Sequence, residues 1–301
     1  MHRGEMTFTI HRVEIPVKTL NEPIYLIPFG DIHRWAPLCD VDRWLEFLAW
    51  AAKKPNAYFL GMGDYDDLAS YSERRAIQAA HFHESTMDSI ESLMKQRTLD
   101  LIDEMKFMRG KLLGLIEGNH FGELPNGIST TQLMCEKLNC KYLGVSSFVR
   151  LSFVHGSKRA VLDIWAHHGR GSSRLLGTAI NNVAQLGNCG VADIYLMGHD
   201  HKKIAGTSNR LILTDGGGDI KLSNKKVLYA RTGSFLKGYV PGEASYVARA
   251  ALPPTDLGVS KIELTPKRTH KTTIPGTLDK STGKRIRYVE DSFYVDIHCS
   301  I

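Results

Sequence analysis

Cysteine is scarce in this chain and nothing pairs it. The five residues Cys39, Cys135, Cys140, Cys189 and Cys299 are scattered, odd in number and without a CxxC pair. Neither a disulfide framework nor a thiolate zinc site organises such a sequence, and reduced, buried thiols are expected. Long apolar runs are missing as well, since none approaches the ~18–20 residues needed to cross a bilayer. The N-terminus has no charged-then-apolar signal pattern, so a cytoplasmic protein without a membrane partner is expected. Internal repeats and low-complexity tracts are absent. Charge of one sign is only modestly in excess: 38 Lys and Arg against 32 Asp and Glu give +6. That balance leans weakly toward a polyanionic partner.

What is present is enough apolar material for one large domain, or a domain with an appendage: 301 residues, 43% hydrophobic. "IYLIPFGDIH" (24–33) reads as a buried strand, because its apolar residues are continuous rather than alternating. "VDRWLEFLAWAAKK" has helical spacing, with Asp40 as a plausible N-cap and Pro55 beyond its end. "NAYFLGMGDYDD" is a further apolar run ending in polar residues. From about Ser72 to Gly110 the chain is charged and helix-forming. "KLLGLIEGNH" returns to an apolar run, and "STTQLMCEKLN" reads as a capped helix. "YLGVSSFVRLSFVHG" and "KRAVLDIWAHHG" read as strands, and "SRLLGTAINNVAQLGN" as a helix leading into "ADIYLMGHDH". Strand and helix thus alternate up to His201, with polar residues at the strand ends, which is an α/β arrangement. After His201 the runs are short and β-like with no obvious helix, ending in a basic β-rich tail after about Pro253.

Five strand ends carry oxygen or nitrogen donors: Asp31 and His33 in "GDIH", Asp64 in "GMGDYDD", Asn119 and His120 in "GNH", His167 and His168 in "HHG", and His199 and His201 in "GHDH". In extended chain, side chains two apart share a face, so Asp31 with His33 and His199 with His201 would each aim at one cleft. Asp200 between the latter would turn to solvent or lie behind the ligands. Carboxylate, imidazole and amide without thiolate suit Mn²⁺, Fe or Zn²⁺. The donors outnumber the needs of one ion. Two divalent ions about 3.5–4 Å apart, Mn²⁺ first among them, would use them all with one carboxylate bridging. Five polar clusters at apolar strand ends need a shared partner, since burying them unpaired is costly.

The ordered blocks DxH, GD, GNH, H and GHxH resemble those of the binuclear metallophosphoesterases, the calcineurin-like phosphoesterase superfamily, over roughly residues 24–240. The resemblance implies two packed mixed β-sheets flanked by helices, an α/β (α+β) fold. It implies a metallophosphoesterase domain over 1–252 with a helical insert at about 70–110, and a basic extension over 253–301 packed on the same domain. Asp31, His33, Asp64 and His201 would hold one metal. Asp64, Asn119, His167 and His199 would hold the other. His120 matches the family's general acid, which protonates the leaving-group oxygen while a hydroxide bridging the metals attacks phosphorus. Asp67 stands where the similar phosphatase motif GDYVDRG keeps the aspartate that orients that histidine. In "IWAHHG" either histidine fits the fourth block. His167, the first polar residue after the apolar run, takes the ligand role, and His168 then lines the substrate side.

Two departures shape the expected substrate. Leu68 stands where the phosphatase motif has its phosphate-gripping arginine, which argues against a phosphoprotein phosphatase. Phe121 follows His120 where many relatives have an acid, so Glu123 or Asp67 must support that histidine; the Phe121 ring would stack on a base or simply be buried. A phosphodiester substrate is expected, with DNA or RNA first by similarity to the superfamily's nucleases. A small-molecule phosphodiesterase or phosphomonoesterase is the alternative, and a non-catalytic scaffold of the same fold is a third. Arg170 and Arg174 in "HGRGSSR" are candidates for phosphate contact, or else solvated loop charges. His81 and His83 read as surface residues of the insert. The Lys- and Arg-rich stretch from Lys261 to Arg287 reads either as a nucleic-acid strip or, preferably, as a charged β-edge that resists aggregation.

Overall fold

Continuous apolar strands must be covered on both faces, and in this chain they are. The computed structural model describes residues 8–171, 174–216, 219–273, 281 and 288–301. Two mixed sheets flanked by helices form the core. The first sheet runs β1 (Thr9–Pro16), β6 (Ser146–His155), β7 (Lys158–His167), β8 (Ile194–Met197), β10 (Asp219–Ser234) and β11 (Gly258–Val259), with β9 (Lys203–Gly216) also on β10. The second runs β13 (Tyr288–Ser300), β12 (Lys261–Thr273), β2 (Ile24–Phe29), β3 (Ala57–Gly61), β4 (Leu112–Leu115) and β5 (Lys141–Tyr142). In it β2, β3, β4 and β5 are parallel. In the first, β7, β8 and β10 are parallel. Their carboxyl ends therefore gather the loops that follow them.

Three layers of side chains join these elements. Between the sheets, Leu26, Leu60, Met62 and Ile116 meet Leu151, Ile164, Ala166, Leu196 and Ala230. Outside the second sheet lie α1 (Val41–Ala52), α3 (Glu84–Met105) and α4 (Thr130–Leu138), whose Trp44, Phe47, Leu101 and Met134 cover Phe29 and Phe59. Outside the first lies α5 (Leu176–Ala184), with Val183 against Trp165 and Tyr195. The helix starts follow local chemistry. Asp40 caps α1 through the Arg43 amide, and Ser129 with Gln132 forms a reciprocal capping box on α4. No helix of the described residues is long and apolar enough to cross a membrane.

The helical insert is α2 (Tyr71–Ala79) plus α3, and His81 and His83 lie exposed at their junction. His83 has a structural task there, accepting the Ser85 amide as the N-cap of α3. One turn of helix, α6 (Tyr246–Arg249), interrupts the expected all-β texture after His201. The C-terminal segment is built into the second sheet: β12 pairs antiparallel with β2 and buries Ile262 and Leu264. Its cations are matched by acids. Arg268 makes a two-pronged contact with Asp291 at 2.8 and 2.9 Å, Lys158 reaches the same carboxylate, and Lys267 meets Asp296 at 2.9 Å. The described part of this segment is therefore a charge-balanced β-edge; "GKRIR" (283–287) lies outside the described residues.

Candidate metal centre

The strand ends deliver their polar side chains through turns, and the turns are strained. Asp31, His33, Asp64, His199 and His201 have φ of 46°, 48°, 49°, 73° and 59°. Asp and His tolerate the left-handed region better than most, yet each such residue costs about 1–2 kcal/mol. Five in one cluster mark a place where side-chain direction outweighs backbone comfort. The expected mechanism, alternation along extended chain, is replaced by these turns.

Hydrogen bonds then lace the turns together. The Asp31 amide donates to the Gly63 carbonyl at 2.9 Å, and the Ile32 and His33 amides donate to the Asp64 carbonyl. Asp64 Oδ1 accepts the Asn119 amide at 2.6 Å and the His120 amide at 3.0 Å. Both oxygens of Asp31 accept the His199 amide. Glycine makes the close approach feasible at two points: a β-carbon on Gly118 would overlap Asp64 Oδ1, and one on Gly63 would overlap His168 Nδ1.

The result is three overlapping groups of donors, each with donor atoms within 4.8 Å of one another: Asp31, His33 and His201; His33, Asp64 and His120; and Asp64, His168 and His199. His33 Nε2 faces His201 Nε2 at 3.1 Å and Asp64 Oδ2 at 3.8 Å. His168 Nε2 is 3.2 Å from Asp64 Oδ2 and 2.9 Å from Asn119 Oδ1, and His199 Nδ1 is 3.0 Å from the same amide oxygen. Asp31, His33, Asp64 and His168 are buried. Facing imidazole nitrogens can share a proton between them or turn their lone pairs to a common cation. Carboxylate, imidazole and amide together suit a divalent first-row metal, so these residues could hold a metal ion.

The electrostatics of the cluster are mixed. Burial, reinforced by Asp64, pushes the Asp31 carboxyl up to about 7. Burial opposes ionisation of Asp64 too, but His168, His33 and His120 hold it well below the usual carboxylate range. His168 is opposed by burial yet raised to about 9 by Asp64 and Asp31, while burial and the neighbouring His168 depress His199 to about 4. One cluster thus mixes acids pulled both ways with bases pulled both ways.

Of the two adjacent histidines, His168 joins the cluster and His167 does not, which corrects the sequence expectation. Leu162, Ile164 and Ala166 face the inter-sheet core, whereas Trp165 faces α5. By the two-residue period His168 continues the inner face and His167 the outer one. The apolar run is buried on both faces, so "first polar residue" carried no parity. His168 Nδ1 donates to the Met62 carbonyl at 2.8 Å, so Nε2 is the nitrogen turned toward Asp64 and Asn119. His167 Nδ1 instead accepts the Gly169 amide. If the cluster holds a divalent metal, His168→Ala is expected to lower the amount retained by the purified protein and His167→Ala to leave it unchanged, by elemental analysis; equal loss in both would reverse this assignment.

His120 stands at the mouth, a quarter of its side chain exposed, with Nδ1 2.6 Å from Asp67 Oδ1. Asp67 also lies 3.5 Å from His33 Nδ1, and the two histidines hold its carboxyl far below the ordinary range despite partial burial. Glu123 has a different partner, Arg74, at 3.8 Å. Arg74 escaped notice in the sequence because an arginine in a charged helix carries no signal. Its guanidinium lies 3.8 Å over the Phe121 ring and donates to the carbonyls of Ala69, Asn119 and Phe121, which pins the GNH turn. Phe121 is thus occupied by an arginine rather than offered to a base. Asp200 is buried instead of turned to solvent: Arg231, itself fully buried, approaches it at 3.4 Å and also donates to the Gly198 carbonyl. Arg170 is exposed in the loop after His168; Arg174 is exposed and donates to the Ala250 carbonyl at 3.1 Å. No protein-family model and no curated protein matches this chain.

Proposed function

We propose that this chain is a dimetal-dependent phosphoester hydrolase, a phosphodiesterase acting on nucleic acid. The observation that carries the reading is the overlap of three donor groups through His33 and Asp64, with Asp67 against His120 beside them. Asp31, His33, Asp64 and His201 would hold one cation, and Asp64, Asn119, His168 and His199 the other, Mn²⁺ being the first choice and Fe or Zn²⁺ compatible with the donors. The ordered motifs that resemble the binuclear metallophosphoesterases support the same assignment. Bound there, such ions supply Lewis acidity, charge neutralisation and a water acidified toward neutral pH.

The chain's own residues supply the proton traffic. Asp67 Oδ1 lies 2.6 Å from His120 Nδ1, which orients the ring and leaves Nε2 to carry the transferable proton. From the mouth of the cluster that proton passes to the leaving-group oxygen. The nucleic-acid preference rests on the net charge of +6 and on Leu68 in place of a phosphate-gripping arginine. One observation favours a small phosphoester instead: the cations of β12 are already matched by Asp291 and Asp296. Turnover of single-stranded DNA, duplex DNA and cyclic nucleotides in Mn²⁺ at two salt concentrations separates the two. Polynucleotide cleavage that weakens steeply with salt is expected, since polyanion binding releases counterions. Salt-insensitive activity confined to small esters selects the second reading, and no metal-dependent turnover of any ester rejects both.

A further inference from the structure

The strands β9 and β10 outrun the sheet to which they belong. β10 pairs with β8 only over Leu228–Arg231 and with β11 at Gly233 and Ser234, and among the described strands β9 pairs only with β10. The outer part of the pair is therefore a two-stranded ribbon. Residues opposite each other in such a ladder share a face, and the face repeats every second residue. Near the sheet this face is core: Leu228 and Ala230 are buried between the sheets, with Ala205 packed against them. Farther out the same face carries Leu222 opposite Leu213, Leu211 opposite Asn224, and Ile220. There the cover stops. Leu222, Leu213, Leu211 and Ile220 are 67%, 72%, 69% and 72% exposed. A ribbon of two strands is marginal in water without something against it. The four residues together expose roughly 500 Å², at the upper end of the about 300–600 Å² of the largest apolar patch on a monomer, a size that marks contact surfaces.

We propose that this ribbon face is a dimer interface, packed against the same face of a second copy of the chain around a two-fold axis. Two such strips laid face to face bury about 1,000 Å², the size from which a specific interface is expected. In a two-fold contact a patch meets its own copy, so a charged strip would repel itself. Here the four apolar residues adjoin Asn224 on the same face, an uncharged side chain whose amide can pair with an amide of the other copy. Past Asn224 the surface stays partly apolar, with Val161 and Tyr294 lining a cavity of about 440 Å³. Leu213 lies ten residues along β9 from Lys203, about 30 Å from the start of the strand beside His201. The interface therefore leaves the Asp and His cluster open, and the inference does not depend on the phosphoester reading.

The test is sedimentation equilibrium from about 1 to 100 µM protein, the range in which an interface near the lower size limit dissociates. The wild type is expected to reach twice the monomer mass and to stop there. Leu213→Thr combined with Leu222→Thr keeps a strand-forming residue at both positions and is expected to stay monomeric throughout. Leu93→Gln, at another exposed leucine on α3, is expected to dimerise like the wild type. Ile220→Thr is expected to weaken the dimer Kd about tenfold, from one shortened aliphatic side chain on each copy, and gives a second reading should the double variant fail to fold. A wild type that is monomeric at every concentration overturns the interface, as does a dimer of unchanged Kd in the double variant or in Ile220→Thr. A mass that keeps rising with concentration overturns the two-fold arrangement, since it marks an open contact.

Discussion

His120→Ala is expected, on the proposed function, to lower kcat on a phosphodiester with a poor alkoxide leaving group by about 10²–10⁴-fold, the usual contribution of a positioned general acid. On a p-nitrophenyl ester the loss is much smaller, because that leaving group departs without a proton. The contrast between substrates separates proton donation from a structural role, since a collapsed mouth would slow both alike. Asp67→Asn follows the same pattern with a smaller loss: the amide keeps the size of the side chain but removes the charge 2.6 Å from Nδ1. Equal losses on both esters, or none on either, would remove His120 from the reaction.

Asp64→Asn is expected to reduce turnover to background and to lower bound metal below that of the wild type in elemental analysis. The substitution is chosen because Asp64 has two tasks. Its Oδ1 accepts the Asn119 and His120 amides, which an asparagine oxygen still does, so the GNH turn and the fold are kept. Its Oδ2 faces His33 at 3.8 Å and His168 at 3.2 Å, and there an amide nitrogen offers neither charge nor lone pair. An unchanged far-UV circular dichroism spectrum with diminished metal shows that the two tasks separate. Full metal content with full turnover would mean that the two donor groups do not share this carboxylate.

Much of this centre is written locally. Apolar runs that stop at a glycine and an acid or histidine mark the ends of β2, β3, β4, β7 and β8, because a strand buried on both faces has no other place for polar side chains. Residue type then limits the guest, since carboxylate, imidazole and amide leave few choices besides a hard or borderline cation. The blocks are separated by helices, so their meeting in space was inferred from number and order, and the carboxyl ends of the strands supply the meeting place.

Other features are not local. Which of His167 and His168 turns inward depends on the pairing of β7 between β6 and β8, and a run that is apolar on both faces hides that parity. The five left-handed residues follow from turns held by amides of neighbouring loops, which no single segment encodes. Arg74 and Arg231 gain their roles from carbonyls and an acid far away in the chain. The sequence by itself determined the α/β character, the inventory of donors and their position at strand ends, since these depend on residue type and short-range order. The tertiary structure alone decided which donors face each other and which arginines brace them, because those depend on sheet register and on contacts between segments distant in the chain.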